Sequence, residues 1–288
     1  MMGWWDGILG AAIAVACGCC CAAAQDAHPE MDAQRKIACG SETVAHATVG
    51  HVIDGRTFVL GDGREVRLAA VEVPQLPPPQ QSAPAPGGNA SKDALDALIG
   101  GDEVVLRQAG GGMDGVDRYG RIVAYAYAVR DGTELFAQGE LIASGFARVA
   151  DRVGSKACAA ELLGDENTAR TAKLGLWGDP YYDVLNADTP VDVLARQGRF
   201  ALVEGQVVSV RESGATTYVN FGRRWSESFS VTISKRNERN FTAAGLDLKS
   251  LTGRRVRIRG WIEARGTGGN APWIEAVRPE QIESADGN

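Results

Sequence analysis

Beyond residue 24 the sequence has little with which to hold a transition metal. Its three histidines are scattered. Only Cys39 and Cys158 follow the first two dozen residues, so no CxxC or His-x-x-x-His spacing arises there. Structural zinc is not expected. A glycine-rich phosphate loop is missing too: GDGR and AGGGMDG fit neither the Walker nor the dinucleotide pattern, and read as turns. No apolar run reaches the roughly 20 residues of a membrane-spanning helix. These gaps exclude a zinc module, a P-loop or dinucleotide enzyme, and a helical span in the mature chain.

What is present is ordinary globular composition, 44% apolar and 23% charged over 288 residues, enough for two domains with sizeable cores. The net charge of −6 is unevenly spread. Residues 1–195 hold 15 basic and 26 acidic side chains, a net of −11, whereas residues 196–288 hold 15 and 10, a net of +5. The front half disfavours broad attraction to nucleic acid, and the rear half permits it. Ile8 to Ala16 is a short apolar run, and Ala22-Ala23-Ala24 supplies small residues before Gln25. This reads as a signal peptide and an exported protein, periplasmic or secreted, although the start carries Asp6 and no Lys or Arg. A lipoprotein anchor at Cys17 is the alternative. Four of six cysteines would leave with that segment, and the remaining pair, Cys39 and Cys158, is expected to form one disulfide.

From Thr43 the pattern becomes strand, turn, strand: Thr43–Ile53, Thr57–Leu60, then Val66–Val71. Asp54-Gly55 reads as a tight hairpin turn with positive φ. Val66, Leu68 and Ala70 alternate with Arg67 and Ala69, which turns Arg67 off the core face. PQLPPPQQSAPAPGG is a proline-rich loop. Asn89 or Ser91 caps a helix over DALDALIG, ended by Gly100-Gly101. Strands follow at Val104–Arg107 and Arg121–Arg130, then amphipathic helices at Glu134–Ser144 and Lys156–Ala172. After a linker, Asp179–Arg196, come five more strands: Ala201–Val210, Thr217–Phe221, Phe229–Ile233, Val256–Ile262 and Trp273–Ala276. One polar segment, Arg236–Ala244, interrupts them, as in a small OB-type barrel. Trp261 and Trp273 read as core.

Five phrases in order, VIDGRTFVL, VRLAAVEVP, DRYGRIVAYAY, GELIASGFARV and AKLGLW, resemble the staphylococcal nuclease (thermonuclease) family across residues 43–177. The resemblance implies a five-stranded OB-type barrel with three helices. Residues 200–283 resemble the additional OB-like domain of some bacterial members. The implied fold class is mainly β with helices (α+β). Its division is 1–24 signal peptide, 25–42 leader, 43–178 nuclease-like domain, 179–196 linker, 197–283 OB-like domain and 284–288 tail.

In that family calcium is held by two carboxylates and a carbonyl, two arginines grip the scissile phosphate, and a glutamate activates water. Metal and arginines neutralise developing charge while the base takes a proton. Carried across, Arg67 and Arg121 match the phosphate-gripping pair, Thr57 the carbonyl donor, and Glu72 one metal carboxylate. Two positions depart from the pattern. Arg56 stands where the other metal carboxylate is usual, and Gln75 where the base is usual. A guanidinium there repels a unit cation at 4 Å by roughly 4 kcal/mol at an effective dielectric of 20, and a divalent ion by more. Gln75 has no acid–base function near neutral pH. Arg56 therefore replaces the metal's charge or neutralises Glu72.

Plainer readings exist for each residue. Arg56 suits an ordinary salt bridge. Arg121 suits an ion pair with Asp117, itself a turn or cap residue, and His51 suits a solvent-facing strand position. In the rear half, Arg223-Arg224-Trp225 and the alternating Arg255, Arg257 and Arg259 suit either a single-strand-binding face or a solvated one. The expectation is an exported thermonuclease homologue that binds nucleic acid or another phosphate-bearing anion through Arg56, Arg67 and Arg121. Calcium is expected only if the family chemistry survives. The alternatives are an active nuclease with altered metal and base, and a periplasmic module with a protein partner.

Overall fold

The computed structural model describes residues 39–40, 42–76, 85–110, 115–265 and 271–286. The segment expected to be a signal peptide, its four cysteines, most of the expected leader and the middle of the proline-rich loop lie outside the described residues. No described helix is long and apolar enough to cross a membrane.

The first region runs β1 (Thr43–Asp54), β2 (Thr57–Leu60), β3 (Glu65–Leu68), β4 (Val71–Glu72), α1 (Gly88–Ile99), β5 (Glu103–Gln108) and β6 (Ile122–Arg130). It continues with β7 (Thr133–Phe136), α2 (Ala137–Ala143), β8 (Arg148–Val149) and α3 (Lys156–Thr171). β1, β2, β3, β6 and β5 pair in that order, and β5 returns to β1. The circuit closes through one parallel pairing, β3 with β6. Phe58, Leu60, Val66, Leu106 and Tyr125 fill its interior with almost no exposure, and α1 to α3 cover it. This mixed α+β barrel is the expected OB-type fold. Cys39 and Cys158 are bonded across 119 residues, tying the chain ahead of β1 to the start of α3.

A second circuit follows a 3-10 turn ending at Tyr182. Its elements are β9 (Leu185–Asn186), α4 (Pro190–Leu194), β10 (Phe200–Gln206), β11 (Ser209–Ser213), β12 (Thr216–Asn220), β13 (Ser230–Ser234) and α5 (Lys235–Ala243). β14 (Arg255–Trp261), β15 (Glu263–Arg265), β16 (Ala271–Glu275) and β17 (Ile282–Ser284) complete it. β10 and β11 follow each other with a two-residue break, as do β14 and β15 with one, so each pair acts as one bent strand spanning two sheets. Counted that way, the order is first, second, third, fifth, fourth and back to first, with the parallel step between β13 and β16. The first region has the same order. In both, a helix separates the third and fourth strands.

The two circuits share a buried seam made by Ala169, Leu176, Trp177, Tyr182, Phe200 and Leu202. Arg259 of β14 has no exposed surface. It donates to Val149 O at 2.9 Å and to both Glu166 oxygens, at 3.2 and 2.6 Å, and it also pairs with Glu283.

Several local expectations need correction. Ser91 does not cap α1: Gly87 precedes the helix with φ +93°, and the Ser91 hydroxyl, inside it, donates to Phe146 O at 2.6 Å. Glu134–Ser144 is not one helix. Asp131 and Gly132, at φ +50° and +75°, form the two-residue hairpin joining β6 to β7, and α2 begins only at Ala137. The strand from Val66 does not run to Val71. Ala70 adopts φ +62°, both Ala69 and Ala70 are buried, and the chain leaves the barrel there. Trp261 is 37% exposed and Trp273 half-buried, so neither is a core tryptophan.

Candidate functional site

The site begins at the β1–β2 hairpin. Asp54 pairs with Thr57, so Gly55 and Arg56 are the two turn residues. Gly55 does not need positive φ, contrary to the expectation. A Cβ there would lie 2.6 Å from Ser91 Cβ, so α1 packs directly on the turn and only glycine fits. The Asp54 carboxylate accepts the Arg56 N–H at 2.9 Å, and Leu68 N–H donates to Arg56 O at 2.8 Å. The hairpin is thereby latched to the end of β3.

These bonds leave Arg56 buried and pointed at Glu72, with Nη1 2.6 Å from Oε2 and each side chain 9% exposed. Glu72 arrives there because of the left-handed turn at Ala70. That turn moves Val71 and Glu72 into a separate two-strand ladder, where Glu72 lies opposite Arg148 of β8. Burial pushes the Glu72 carboxyl up, although Arg56 and Arg148 pull the other way.

Arg67 sits on β3 opposite Thr57 of β2 on one side and Val123 of β6 on the other. Arg121 immediately precedes β6. Arg56, Arg67 and Arg121 therefore lie at one end of the barrel, near enough for the charges of the other two to act on Arg67. Arg67 is held below its ordinary value by burial first, then by repulsion from Arg56 and Arg121, with weaker relief from Glu72 and Asp54. Its neighbours have partners: Arg56 has Glu72, and Arg121 has Asp117 at 2.7 Å. Among the described residues, no hydrogen bond or ion pair engages the Arg67 guanidinium.

Asp117 is a turn residue, accepting the N–H groups of Tyr119 and Arg121 and the Arg121 side chain. Slight burial opposes its charge, but those hydrogen bonds outweigh it and hold the carboxyl below the usual range. Thr57 is buried and its hydroxyl has no partner. Gln75 is exposed and lines a narrow crevice of about 50 Å³ with Glu72 and Arg148. His51 is exposed, in keeping with its strand reading.

Two residues escaped the sequence reading. Arg148 is buried between the Tyr182 and Phe200 rings, 5.0 Å from each centroid, and donates to Phe200 O at 3.0 Å. Burial lowers its pKa against the pull of Tyr182 and Glu72. It lies in GFARV, but its neighbours come from the distant second circuit and give no local signal. Tyr119, 66% exposed, lies between Arg118 and Arg121, with the Arg121 Cζ 5.0 Å from its ring. The DRYGR turn was the available cue.

These donors do not fit calcium. That ion takes six to eight oxygen ligands, with carboxylates foremost. Here Glu72 is committed to Arg56 and also faces Arg67 and Arg148, while Asp54 is taken by a backbone N–H. No three carboxylates, cysteines or histidines converge among the described residues.

Residues 65–179 match the family described as Staphylococcal nuclease homologue. The match takes in Arg67, Glu72, Gln75 and Arg121 and starts after Arg56 and Thr57. The search of curated proteins finds no match. Residues 65–179 therefore carry a staphylococcal nuclease-like domain, which suggests nucleic-acid binding.

Proposed function

We propose that this protein is an exported phosphodiester-binding member of the nuclease-like group, in which Arg56, Arg67 and Arg121 hold the phosphate and calcium-stimulated hydrolysis is lost. One observation carries the reading: a half-buried guanidinium, Arg67, is flanked by two others and has no hydrogen-bond or ion-pair partner among the described residues. A cation kept in that setting is costly unless an anion completes it. A phosphate oxygen accepting from guanidinium groups would do so through short charge-assisted bonds.

Hydrolysis has no such support. Gln75 cannot take a proton from water, and a general base commonly contributes about 100- to 10,000-fold. Holding the ground state tightly does not lower the barrier. The Cys39–Cys158 disulfide supports export, since such bonds persist in oxidising compartments.

The test is the affinity of Arg67→Gln for labelled DNA at fixed salt. Charge-assisted hydrogen bonds contribute enough that the variant should bind about ten- to a hundredfold more weakly. Unchanged affinity would remove Arg67 from the binding site and sink the reading.

A further inference from the structure

On the second circuit, a pocket of about 780 Å³ opens on the outward face of the sheet β11-β12-β13-β16-β15. Among the described residues, three cations line it, Arg211, Arg223 and Arg265, together with Tyr218, Trp225 and Asn220, and no carboxylate does. Strand alternation explains the segregation. Arg211 lies opposite Tyr218 and Ser209 opposite Asn220 on one face, while Glu212 turns to the other. That other flank has its own acidic pocket, lined by Glu212, Glu238 and Asp247. Glu263 and Glu275 share the outward face by alternation but lie outside the basic pocket.

The aromatic groups are set for stacking. Trp225 is 69% exposed. The Arg265 guanidinium lies 5.5 Å from the Tyr218 ring centroid and 5.9 Å from that of Trp273. Arg265 donates to Ser230 Oγ, yet its Nε is buried without an acceptor. A flat cation among aromatic rings, beside free arginines and an open indole, matches a ligand that is planar at one end and anionic at the other. OB barrels with such faces bind single strands by stacking bases and tracking phosphates.

We propose that this pocket is a second, separate site, which takes nucleotide units: a base against Trp225 and the Arg265–Tyr218 platform, and phosphate against Arg211 and Arg223. It stands independently of the Arg56, Arg67 and Arg121 cluster. The charge difference between the halves of the chain, −11 against +5, agrees with a nucleic-acid contact in the rear half.

Anisotropy of a labelled single-stranded oligonucleotide, titrated with the full-length chain across a salt series, tests it. Each variant is made alone and combined with Arg67→Gln, so failure of the first site and failure of this one read separately. Trp225→Ala should weaken binding about five- to a hundredfold with an unchanged salt slope, because stacking releases no counterion. Arg211→Ala with Arg223→Ala should instead flatten the slope by about 1.4, from two lost phosphate contacts. All three residues are exposed, so the variants should fold. Lys249→Ala, outside the pocket, should change affinity less than twofold. A nucleoside monophosphate serves as competitor: affinity rising with strand length identifies a strand, and equal binding of the monophosphate identifies a free nucleotide. Either supports the site. Variants indistinguishable from the parent in both affinity and slope, or no binding of strand and monophosphate, would overturn it.

Discussion

Arg67 of the first circuit and Arg259 of the second are both arginines on a barrel strand, one half-buried and one fully buried, and they are handled in opposite ways. Arg259 is fully buried. Burial works against its charge, but Glu166 and Glu283 outweigh it and raise its pKa. Arg67 is half-buried, has no counter-ion in contact among the described residues, and is pushed down by burial and by two other arginines. A cation with its charge answered within the chain holds parts together, here α3 to β14. On the proposed reading, a cation left unanswered is a cost the fold carries for an outside anion. Arg148 is a third case: stacked and bonded to Phe200 O, it is held inside the chain although burial lowers its pKa, whereas Arg211 and Arg223 of the second pocket are exposed.

The largest expected effect concerns what ties each circuit. Cys39→Ser with Cys158→Ser should lower stability by about 4 to 5 kcal/mol in the chain-entropy model, given the long loop it closes. Urea unfolding with matched oxidised and variant protein measures it. Glu166→Ala, which leaves Arg259 buried with one carboxylate fewer, should cost about 3–5 kcal/mol. A cost near zero would mean that Arg259 is no more structural than Arg67, and the comparison would collapse.

Arg67→Met should sharpen the contrast from the other side. Removing this repelled cation should leave stability unchanged or raise it by up to about 1 kcal/mol while DNA binding weakens about ten- to a hundredfold, as is common where function costs stability. Thermal unfolding and DNA affinity, measured on one preparation, check both halves. The smallest effect belongs to Glu204, which pairs with Arg255 and Arg257. Burial opposes its charge, but the arginine hydrogen bonds win and depress its pKa. Its stabilisation is therefore complete above the ordinary glutamate value and lost as pH falls through the depressed one. Because Arg255 is largely exposed, Glu204→Gln should reduce stability at neutral pH by less than about 1 kcal/mol and flatten the acid limb.

Most strands were legible because alternation of apolar and polar residues is a local property. Thr57–Leu60 is a case in which both ends agree. Two of the Asp-Gly pairs show where local reading stops. Asp131-Gly132 does adopt the positive φ values of a tight hairpin, and it takes Thr133–Phe136 away from the helix that follows. Asp54-Gly55 looks identical in sequence, but its glycine answers to the Ser91 side chain of α1. Ala70 is harder still. Nothing in a run of small apolar residues announces a left-handed alanine, yet that turn brings Glu72 to Arg56 and Arg148. The arginines themselves were readable from VRL and DRYGR. Arg148 was not, because its partners, Tyr182 and Phe200, are far along the chain.

The central claim is that the first site holds phosphate without calcium chemistry. Plasmid DNA incubated with the wild-type chain, with calcium added or with chelator, tests it most directly when cleavage and binding are followed together. The account predicts binding that survives the chelator and no cleavage that calcium stimulates. Robust calcium-dependent cleavage by the wild-type protein would contradict it.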